Sequence, residues 1–330
     1  MIPDFYTHRE EWPALIEQIV ELLGRVSALE ALSERGLELR RMNRIGSVHS
    51  STAIEGNALS LAAVGRIASG GAVFGPQRDI QEVENAFAAY DALETLDPWN
   101  VDDFVRAHGL LTRGLISEAG AFRTVDVDVV GPAGDVLHTG SRHEKVPRLV
   151  SELLEWVASA DDHPIIVSSA VHFLIEHIHP FRDGNGRIGR LWQTLILSRW
   201  RPLFAWTPTE TLVRRSQEGY YSALQRSRVP EIDAASFISY MIDIILRSLH
   251  EYELQSISSV TDGGRNGGRN AAVLAVLLGD PTLTAVELAD VLGTSSRTID
   301  RTLQSLKASG LLRREGSTKS GRWIVVERGS

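Results

Sequence analysis

The chain has 330 residues and a formal net charge of −8 at pH 7, which argues against a basic surface over the whole chain but leaves room for local patches. It contains no cysteine, which excludes disulfides, iron–sulfur clusters and thiol catalysis. The first residues are polar and acidic, and no apolar run approaches the ~20 residues of a membrane span. We therefore expect a cytoplasmic protein of two or more domains with no membrane partner.

The first 80 residues show the spacing of apolar residues that is typical of amphipathic helices. Residues 12–23 are one example, in which Pro13 suits a first helical turn. Residues 51–57 read Ser-Thr-Ala-Ile-Glu-Gly-Asn, which by itself is typical of a helix end. We predict an N-terminal helical region over residues 1–80.

A second region, residues 81–255, is predicted to be mostly helical with one β-hairpin. Within it, residues 124–139 alternate apolar and polar side chains around a Gly-Pro-Ala-Gly turn. The predicted fold class up to this point is mainly α.

The most informative segment is residues 179–190, which read His-Pro-Phe-Arg-Asp-Gly-Asn-Gly-Arg-Ile-Gly-Arg. Gly184 and Gly186 allow the backbone to approach an anion closely, and they tolerate a positive φ. A helix that began just after them would add unpaired N–H groups and its positive dipole end. The segment therefore predicts a phosphate-binding loop.

The side chains around this loop are those that an enzyme acting on a nucleoside triphosphate needs. Asp183 can ligate Mg²⁺, which takes one or two protein carboxylates and fills its shell with phosphate oxygens and water. Arg187 and Arg190 are three residues apart and would lie on one helix face. His179 can accept a proton from an attacking hydroxyl at neutral pH. The pattern favours an enzyme that holds a nucleoside triphosphate and transfers part of it.

Two other motifs overlap this segment. Residues 184–189 satisfy the dinucleotide fingerprint G-x-G-x-x-G, but that motif should follow a buried strand, and residues 171–180 are spaced like an amphipathic helix. His177 and His179 could be imagined as zinc ligands with Asp183. Residues two apart on a helix point to different faces, however, and zinc pairs favour i, i+4 spacing. We reject the dinucleotide fold and disfavour the zinc site.

Residues 179–190 resemble the signature of the Fic family, H-x-F-x-[D/E]-G-N-G-R-x-x-R, at every fixed position. The similarity extends from about residue 39 to about residue 246 and includes Gly120-Ala-Phe-Arg123-Thr. Members mostly transfer AMP from ATP to a protein hydroxyl, on an all-helical core. The resemblance implies a catalytic core over residues 81–255 with a hairpin flap, ATP as substrate, and Mg²⁺ (or Mn²⁺). It also implies a target protein, whose identity the sequence does not give, and the chain itself as a target by auto-AMPylation.

The resemblance assigns a role to each matching residue. His179 would be the general base, and Asp183 would hold the metal ion against the α- and β-phosphates. Arg187 would support the phosphates, and Arg190 would meet the γ-phosphate. The anion hole would be formed by Gly184, Asn185 and Gly186. Branches with other chemistry carry lysine or alanine in this loop, so an intact Gly-Asn-Gly favours adenylyl transfer.

Residues 51–57 resemble the family's autoinhibitory motif [S/T]-x-x-x-E-[G/N], with Ser51, Glu55 and Gly56 at the fixed positions. The resemblance implies that Glu55 pairs with Arg190 and denies ATP its γ-phosphate contact. In some relatives the same glutamate helps to remove AMP, so a reverse deAMPylation is a further implication. Relatives often self-associate, which makes a homo-oligomer an open expectation.

Two further segments resemble parts of the family that bind substrates. The hairpin resembles the flap that aligns the target peptide, although a hairpin that merely covers the rim would look the same. Residues 214–224 resemble the helix that lines the adenine pocket, with Tyr221 as a candidate contact. Arg228 stands where relatives often place asparagine, which leaves base selectivity open.

The C-terminal part has a different composition. Residues 256–270 are rich in glycine, serine and asparagine and are predicted to be a linker. Residues 271–330 resemble a winged helix-turn-helix domain. Its predicted helices and strands cover residues 272–278, 284–293, 295–307, about 311–314 and about 322–326.

Basic residues outnumber acidic ones between residues 295 and 322, which favours contact with DNA. The candidates are Ser296, Arg297, Arg301, Arg313 and Arg314. Winged helices also dock proteins, so both partners stay open. Two functions compete for the chain: a self-inhibited AMP transferase, and a DNA-binding transcriptional regulator whose Fic core senses a nucleotide or partner. The intact signature favours the enzyme, because a sensor needs no general base.

Overall fold

The computed structural model describes residues 5–32, 36–130, 136–229, 231–262, 270, 273–274, 277, 281–291, 294–316 and 321–326. The helices of the first two thirds are α1 (Trp12–Leu32), α2 (Gly36–Ile54), α3 (Leu61–Ile67), α4 (Gln77–Asp91), α5 (Val101–Thr112), α6 (Val146–Ser159), α7 (Pro164–Ile178), α8 (Asn185–Trp200), α9 (Thr209–Arg215), α10 (Gln217–Arg226) and α11 (Ala235–Asp262). Short 3₁₀ turns cover Ala92–Thr95, His143–Lys145 and Pro202–Trp206. The mainly α fold predicted from the sequence is confirmed.

The chain forms two compact units, one of residues 1–16 with 43–245 and the other of residues 17–42 with 246–330. The division into residues 1–80, 81–255, 256–270 and 271–330 stays a prediction. No helix in the described part of the chain is long and apolar enough to cross a membrane.

Helices α7 and α8 form the centre of the first unit. Both helices are buried along most of their length and on all faces, which is typical of helices in the core of a protein. Helix α7 begins at Pro164 behind the His163 cap, whose side chain accepts a hydrogen bond from the Ile165 amide. Because only residues 179–184 connect α7 to α8, the loop is held at both ends by buried helices.

Aromatic side chains of α5 pack against the loop that connects α7 to α8. Phe181 is fully buried and stacks on the ring of His108 from α5, with the ring centroids 3.6 Å apart and the planes at 4°. Phe104, also on α5, packs on Phe181 with the ring centroids 5.4 Å apart. Phe181 is therefore a core residue that anchors the loop.

A two-stranded hairpin lies between α5 and α6. Strand β1 (Asp128–Val130) pairs antiparallel with β2 (Val136–Thr139), with Asp128 opposite Thr139 and Val129 opposite His138. The predicted hairpin is confirmed, while its Gly-Pro-Ala-Gly turn lies outside the described residues.

The second unit contains a small helix–helix–hairpin arrangement. Helix α12 (Ala285–Val291) and helix α13 (Ser296–Ala308) precede strands β3 (Leu312–Glu315) and β4 (Arg322–Val325), which pair antiparallel. Their core includes Leu288, Ile299, Leu306, Leu312 and Trp323. This is the winged helix predicted from the sequence. Residues 256–262, predicted as part of the linker, instead belong to helix α11. Residues 263–269 of the linker, most of predicted helix 272–278, and Gly293 lie outside the described residues.

Candidate active site

Helix α8 begins directly at the glycine-rich loop. Gly184 adopts φ +82°, a conformation that favours glycine, and α8 starts at the next residue. The side chain of Asn185 is buried and clamps the loop, because its Oδ1 accepts from the Phe181 amide at 2.9 Å and its Nδ2 donates to the Phe181 carbonyl at 2.8 Å. A Cβ on Gly186 would overlap Glu55 and crowd Arg190. The segment thus presents backbone amides and a helix N-terminus, the elements of an anion cradle.

His179 terminates α7 in the left-handed conformation, at φ 54°. This strained backbone is held by its neighbours. The His179 amide donates to the Ile175 carbonyl at 2.9 Å, and the His179 carbonyl accepts from Arg123 Nε at 2.7 Å. Arg123 is itself buried and also donates to the carbonyls of Val125 and Ser141.

Burial lowers the pKa of His179 to about 4. The cationic neighbours Arg228 and Arg123 act in the same direction. The imidazole is therefore neutral near pH 7, the state in which it can accept a proton. Its Nδ1 is buried without a hydrogen-bond partner among the described residues.

Arg190 is buried and bound to Ser51 of α2 and to Glu55, which directly follows α2. Its Nη2 lies 2.7 Å from Glu55 Oε1 and 2.9 Å from the Ser51 carbonyl, and its Nε donates to Ser51 Oγ at 3.1 Å. The Arg190 side chain is 2% exposed, against 28% for Glu55. Burial opposes the charge on Arg190, but the neighbouring Glu55 outweighs burial and raises the pKa of Arg190 above its usual value, so the guanidinium stays charged. Arg190 consequently meets Glu55 at the place where the resemblance expects a γ-phosphate.

Arg187 is held by two carboxylates. Its Nη1 donates to Glu82 Oε1 at 2.5 Å, and its Nη2 donates to Asp183 Oδ1 at 3.1 Å. Asp183 remains 39% exposed, and its second oxygen lies 3.6 Å from Arg78 Nη2. A half-exposed carboxylate beside an anion cradle fits a Mg²⁺ or Mn²⁺ ion that completes its shell with phosphate oxygens and water.

Residues of the predicted adenine side lie on α10 and just after it. Tyr221 is 44% exposed, and Gln217 Nε2 lies 3.5 Å from its hydroxyl. Arg228 is half-buried and donates from its Nη2 to the Glu176 carbonyl at 2.9 Å. In this structure Arg228 therefore holds the last turn of α7.

A buried polar chain behind the loop was not found from the sequence. Tyr220 donates to Glu176 Oε1 at 3.1 Å, and its oxygen lies 3.0 Å from His172 Nε2. His172 Nδ1 lies 2.7 Å from Gln193 Oε1 on α8. Burial, and next the Glu55 carboxylate, raise the pKa of Glu176. These residues carry no local motif, because their partners lie up to 48 residues apart along the chain.

We expect the fold to lose stability in mild acid. Burial lowers the pKa of His172 to about 3 and that of His108 to about 4. The unfolded chain binds protons at both histidines below pH ~6.5, whereas the folded chain does not until the pH nears these lower values. The free energy of unfolding should therefore fall by up to about 1.4 kcal/mol per pH unit for each histidine as the pH drops from 6.5 to 4. Denaturant melts across this range measure it, and a constant free energy would contradict buried neutral histidines.

The predicted DNA contacts on the winged helix divide into two groups. Ser296, Arg297 and Arg301 on α13 and Arg313 on β3 are exposed. Arg314 instead packs on the Trp323 ring, with its guanidinium carbon 4.6 Å from the ring centroid, and donates to the Gly321 carbonyl. The first four can reach a partner as they stand, whereas Arg314 has a packing role.

The Fic/DOC family model matches residues 98–197, and the MarR family model matches residues 267–322. The chain is similar to proteins named protein adenylyltransferase Fic from Aedes aegypti (27% identity over 68% of this chain) and Culex quinquefasciatus (28% over 70%). It spans 45% of the length of each of these two relatives.

Solved structures give a closer match. A Fic domain containing signaling protein from Bacteroides thetaiotaomicron aligns with 72% of this chain and 96% of its own at 18% identity and a TM-score of 0.61, which supports the fold. A Fic family protein from Desulfovibrio desulfuricans G20 aligns over 100% of both chains with a TM-score of 0.72 and 34% identity. The chain therefore belongs to the Fic family.

Proposed function

We propose that this chain is a protein adenylyltransferase that transfers AMP from ATP to a hydroxyl side chain of a target protein and that restrains itself through Glu55. The observation that carries the proposal is the complete loop from His179 to Arg190, with a neutral histidine at one end and Arg190 occupied by Glu55 at the other. Relatives named protein adenylyltransferase cover about 70% of the chain and support the same activity.

The proposed chemistry is an in-line displacement at the α-phosphorus of ATP. A hydroxyl oxygen of the target attacks the α-phosphorus, and His179 takes the hydroxyl proton. The bond from the α-phosphorus to the oxygen that bridges to the β-phosphate breaks, and pyrophosphate leaves. The amides of the loop and the N-terminus of α8 stabilise the charge that develops on the phosphate oxygens. Little covalent work falls to the protein, because positioning and charge neutralisation dominate such reactions.

A divalent cation and the two arginines would complete the site. Asp183 would hold Mg²⁺ or Mn²⁺, which when bound neutralises charge on the phosphates. Arg187 would contact the phosphates after loosening its contact with Asp183, and Arg190 would meet the γ-phosphate once Glu55 withdraws. Tyr221 would contact the adenine, while Arg228 leaves the base preference open.

The direct test uses the chain as its own acceptor. The Glu55→Gly variant is incubated with ATP and Mg²⁺, and its mass spectrum is searched for covalently added adenylyl groups. We expect auto-AMPylation together with release of pyrophosphate. Failure of both with ATP, and with the other nucleoside triphosphates, would contradict the proposal. A complementary assay with AMP-labelled protein and wild-type enzyme would detect the reverse deAMPylation.

We also propose partners, a location and a domain organisation for the chain. We propose an unidentified protein target aligned along the hairpin edge, a cytoplasmic location, and the four-part division into residues 1–80, 81–255, 256–270 and 271–330. A homo-oligomer stays a proposal from the resemblance.

The winged helix favours a second function, namely contact with DNA through residues 271–330. The supporting observation is the exposed set of Arg297, Arg301 and Arg313 together with the MarR family match. In this second proposal the DNA contact either localises the enzyme or makes the chain a transcriptional regulator with a nucleotide-sensing core.

Arg297→Ala and Arg301→Ala should each weaken DNA binding. If each arginine contacts one phosphate, each variant lowers the salt slope of the binding constant by about 1. Titrations at several salt concentrations measure this slope, with Arg148→Ala, an exposed arginine of α6, as the control. Binding that is absent at low salt, or slopes equal to that of the wild type, would contradict a DNA-binding face.

A further inference from the structure

The orientation of Arg187 depends on a residue that neither the signature nor the inhibitory motif contains. Arg187 is 3% exposed in the first turn of α8, and its Nη1 donates to Glu82 Oε1 of α4 at 2.5 Å. Glu82 is itself 13% exposed. A buried guanidinium must satisfy its charge and its donors, so the Glu82 carboxylate sets where Arg187 points.

The second oxygen of Glu82 is bound by Asn57, the residue that follows the proposed inhibitory motif Ser51–Gly56. Asn57 Nδ2 donates to Glu82 Oε2 at 2.8 Å and to the Asp79 carbonyl at 3.0 Å. Asn57 Oδ1 accepts from the Leu59 amide at 3.1 Å, so both ends of this buried amide are used. Between Glu55 and Asn57 stands Gly56 at φ +96°, in a turn after which the Glu55 side chain meets Arg190 and the Asn57 side chain meets Glu82.

We infer that Glu82 is a positioning residue for Arg187 and that Asn57 couples it to the inhibitory residue Glu55. The inference rests on the proposed function. Residues 51–57, at and just after the end of α2, then contact both arginines that would bind phosphate. Glu55 and Ser51 bind Arg190 directly, whereas Asn57 binds Glu82, which in turn binds Arg187. Withdrawal of Glu55 from Arg190 is thereby linked to the contact that orients Arg187.

The sharpest variant is Asn57→Asp, which exchanges one amide nitrogen for an oxygen at nearly constant shape. It replaces a donor with a carboxylate that faces Glu82 and the Asp79 carbonyl, so a stabilising contact becomes a repulsive one. We expect AMP transfer to rise about tenfold or more over wild type, because the end of α2 loses its attachment. Combining Asn57→Asp with Glu82→Gln exchanges donor and acceptor across the same contact, and transfer should return to near the wild-type level.

A second pair of variants tests the positioning role itself in the Glu55→Gly background. Glu82→Ala should raise the KM for ATP about tenfold with a smaller change in kcat, because Arg187 loses its orientation for the phosphates. Glu82→Gln, which keeps an acceptor for Arg187, should recover most of that loss. A general structural defect would lower kcat in both variants alike, and that result would overturn the positioning role.

A control variant and a hydrogen-exchange measurement separate the outcomes. Ser60→Ala removes the N-terminal cap of α3, three residues after Asn57, and leaves the contact with Glu82 in place, so AMP transfer should be unchanged.

If Glu55→Gly is active and Asn57→Asp is no faster than wild type, the coupling is overturned. If Glu55→Gly is inactive, the proposed function fails, and hydrogen exchange still decides the coupling. The amides of residues 55–57 should exchange faster in Asn57→Asp and recover in the double variant, and unchanged exchange would overturn it.

Discussion

Replacing Glu55 with glycine is expected to raise AMP transfer by about two orders of magnitude. Glu55 and Ser51 bind Nε and Nη2 of Arg190, and a charge-assisted hydrogen bond at a buried arginine contributes about 1.5–3 kcal/mol. Each 1.36 kcal/mol corresponds to a tenfold change in rate, so removing the competing carboxylate should admit the γ-phosphate in productive geometry far more often. Initial rates with wild type and variant at equal ATP measure the effect.

The conservative variant Glu55→Gln sharpens this result. A glutamine keeps a hydrogen bond to Arg190 but loses the negative charge, so its rate should lie between those of wild type and Glu55→Gly. Glu84→Gly, which alters an exposed glutamate of α4, is the matched control and should behave as wild type. Equal rates for wild type and Glu55→Gly would contradict self-inhibition by Glu55.

Loss of His179 is expected to remove the activity that Glu55→Gly releases. General base catalysis contributes about 10²–10⁴-fold, and in the described part of the site His179 is the neutral base at the end of α7 that precedes the anion cradle. In the Glu55→Gly background, His179→Ala should therefore lower kcat by that factor while ATP binding changes little.

The backbone at His179 calls for a matched variant. Position 179 is left-handed at φ 54°, a conformation that asparagine tolerates better than alanine. His179→Asn should retain the loop conformation and still lose the base, so both variants should be inactive. Full activity of His179→Asn in single-turnover assays would show that the position serves the backbone and that the proton goes elsewhere.

The parts of the site that the sequence predicts are those that lie together along the chain. Residues 179–190 supply the loop, the start of α8 and the neutral histidine, because a short connection between two buried helices keeps sequence neighbours together in space. The pairing of Glu55 with Arg190 joins residues 135 positions apart, and only the resemblance to the family indicated it.

Other contacts had no signal in the sequence. Glu82 lies within an ordinary amphipathic helix, and its contact with Arg187 spans 105 positions. The stacking of Arg314 on Trp323 had no signal either, because it depends on how β3 and β4 pair. Charge and exposure alone cannot distinguish an arginine that packs on a tryptophan from one that faces a partner.

The most direct test of the central claim compares two labelled forms of ATP. Wild type, Glu55→Gly, and Glu55→Gly with His179→Asn are each incubated with a cell lysate and with ATP carrying ³²P at either the α- or the γ-phosphate. Above the label seen with lysate alone, a self-inhibited adenylyltransferase should label proteins only from the α-labelled form, strongly with Glu55→Gly, weakly with wild type, and not when His179 is replaced. Label from the γ-phosphate above that of lysate alone, or added α-label that is independent of His179, would contradict the account.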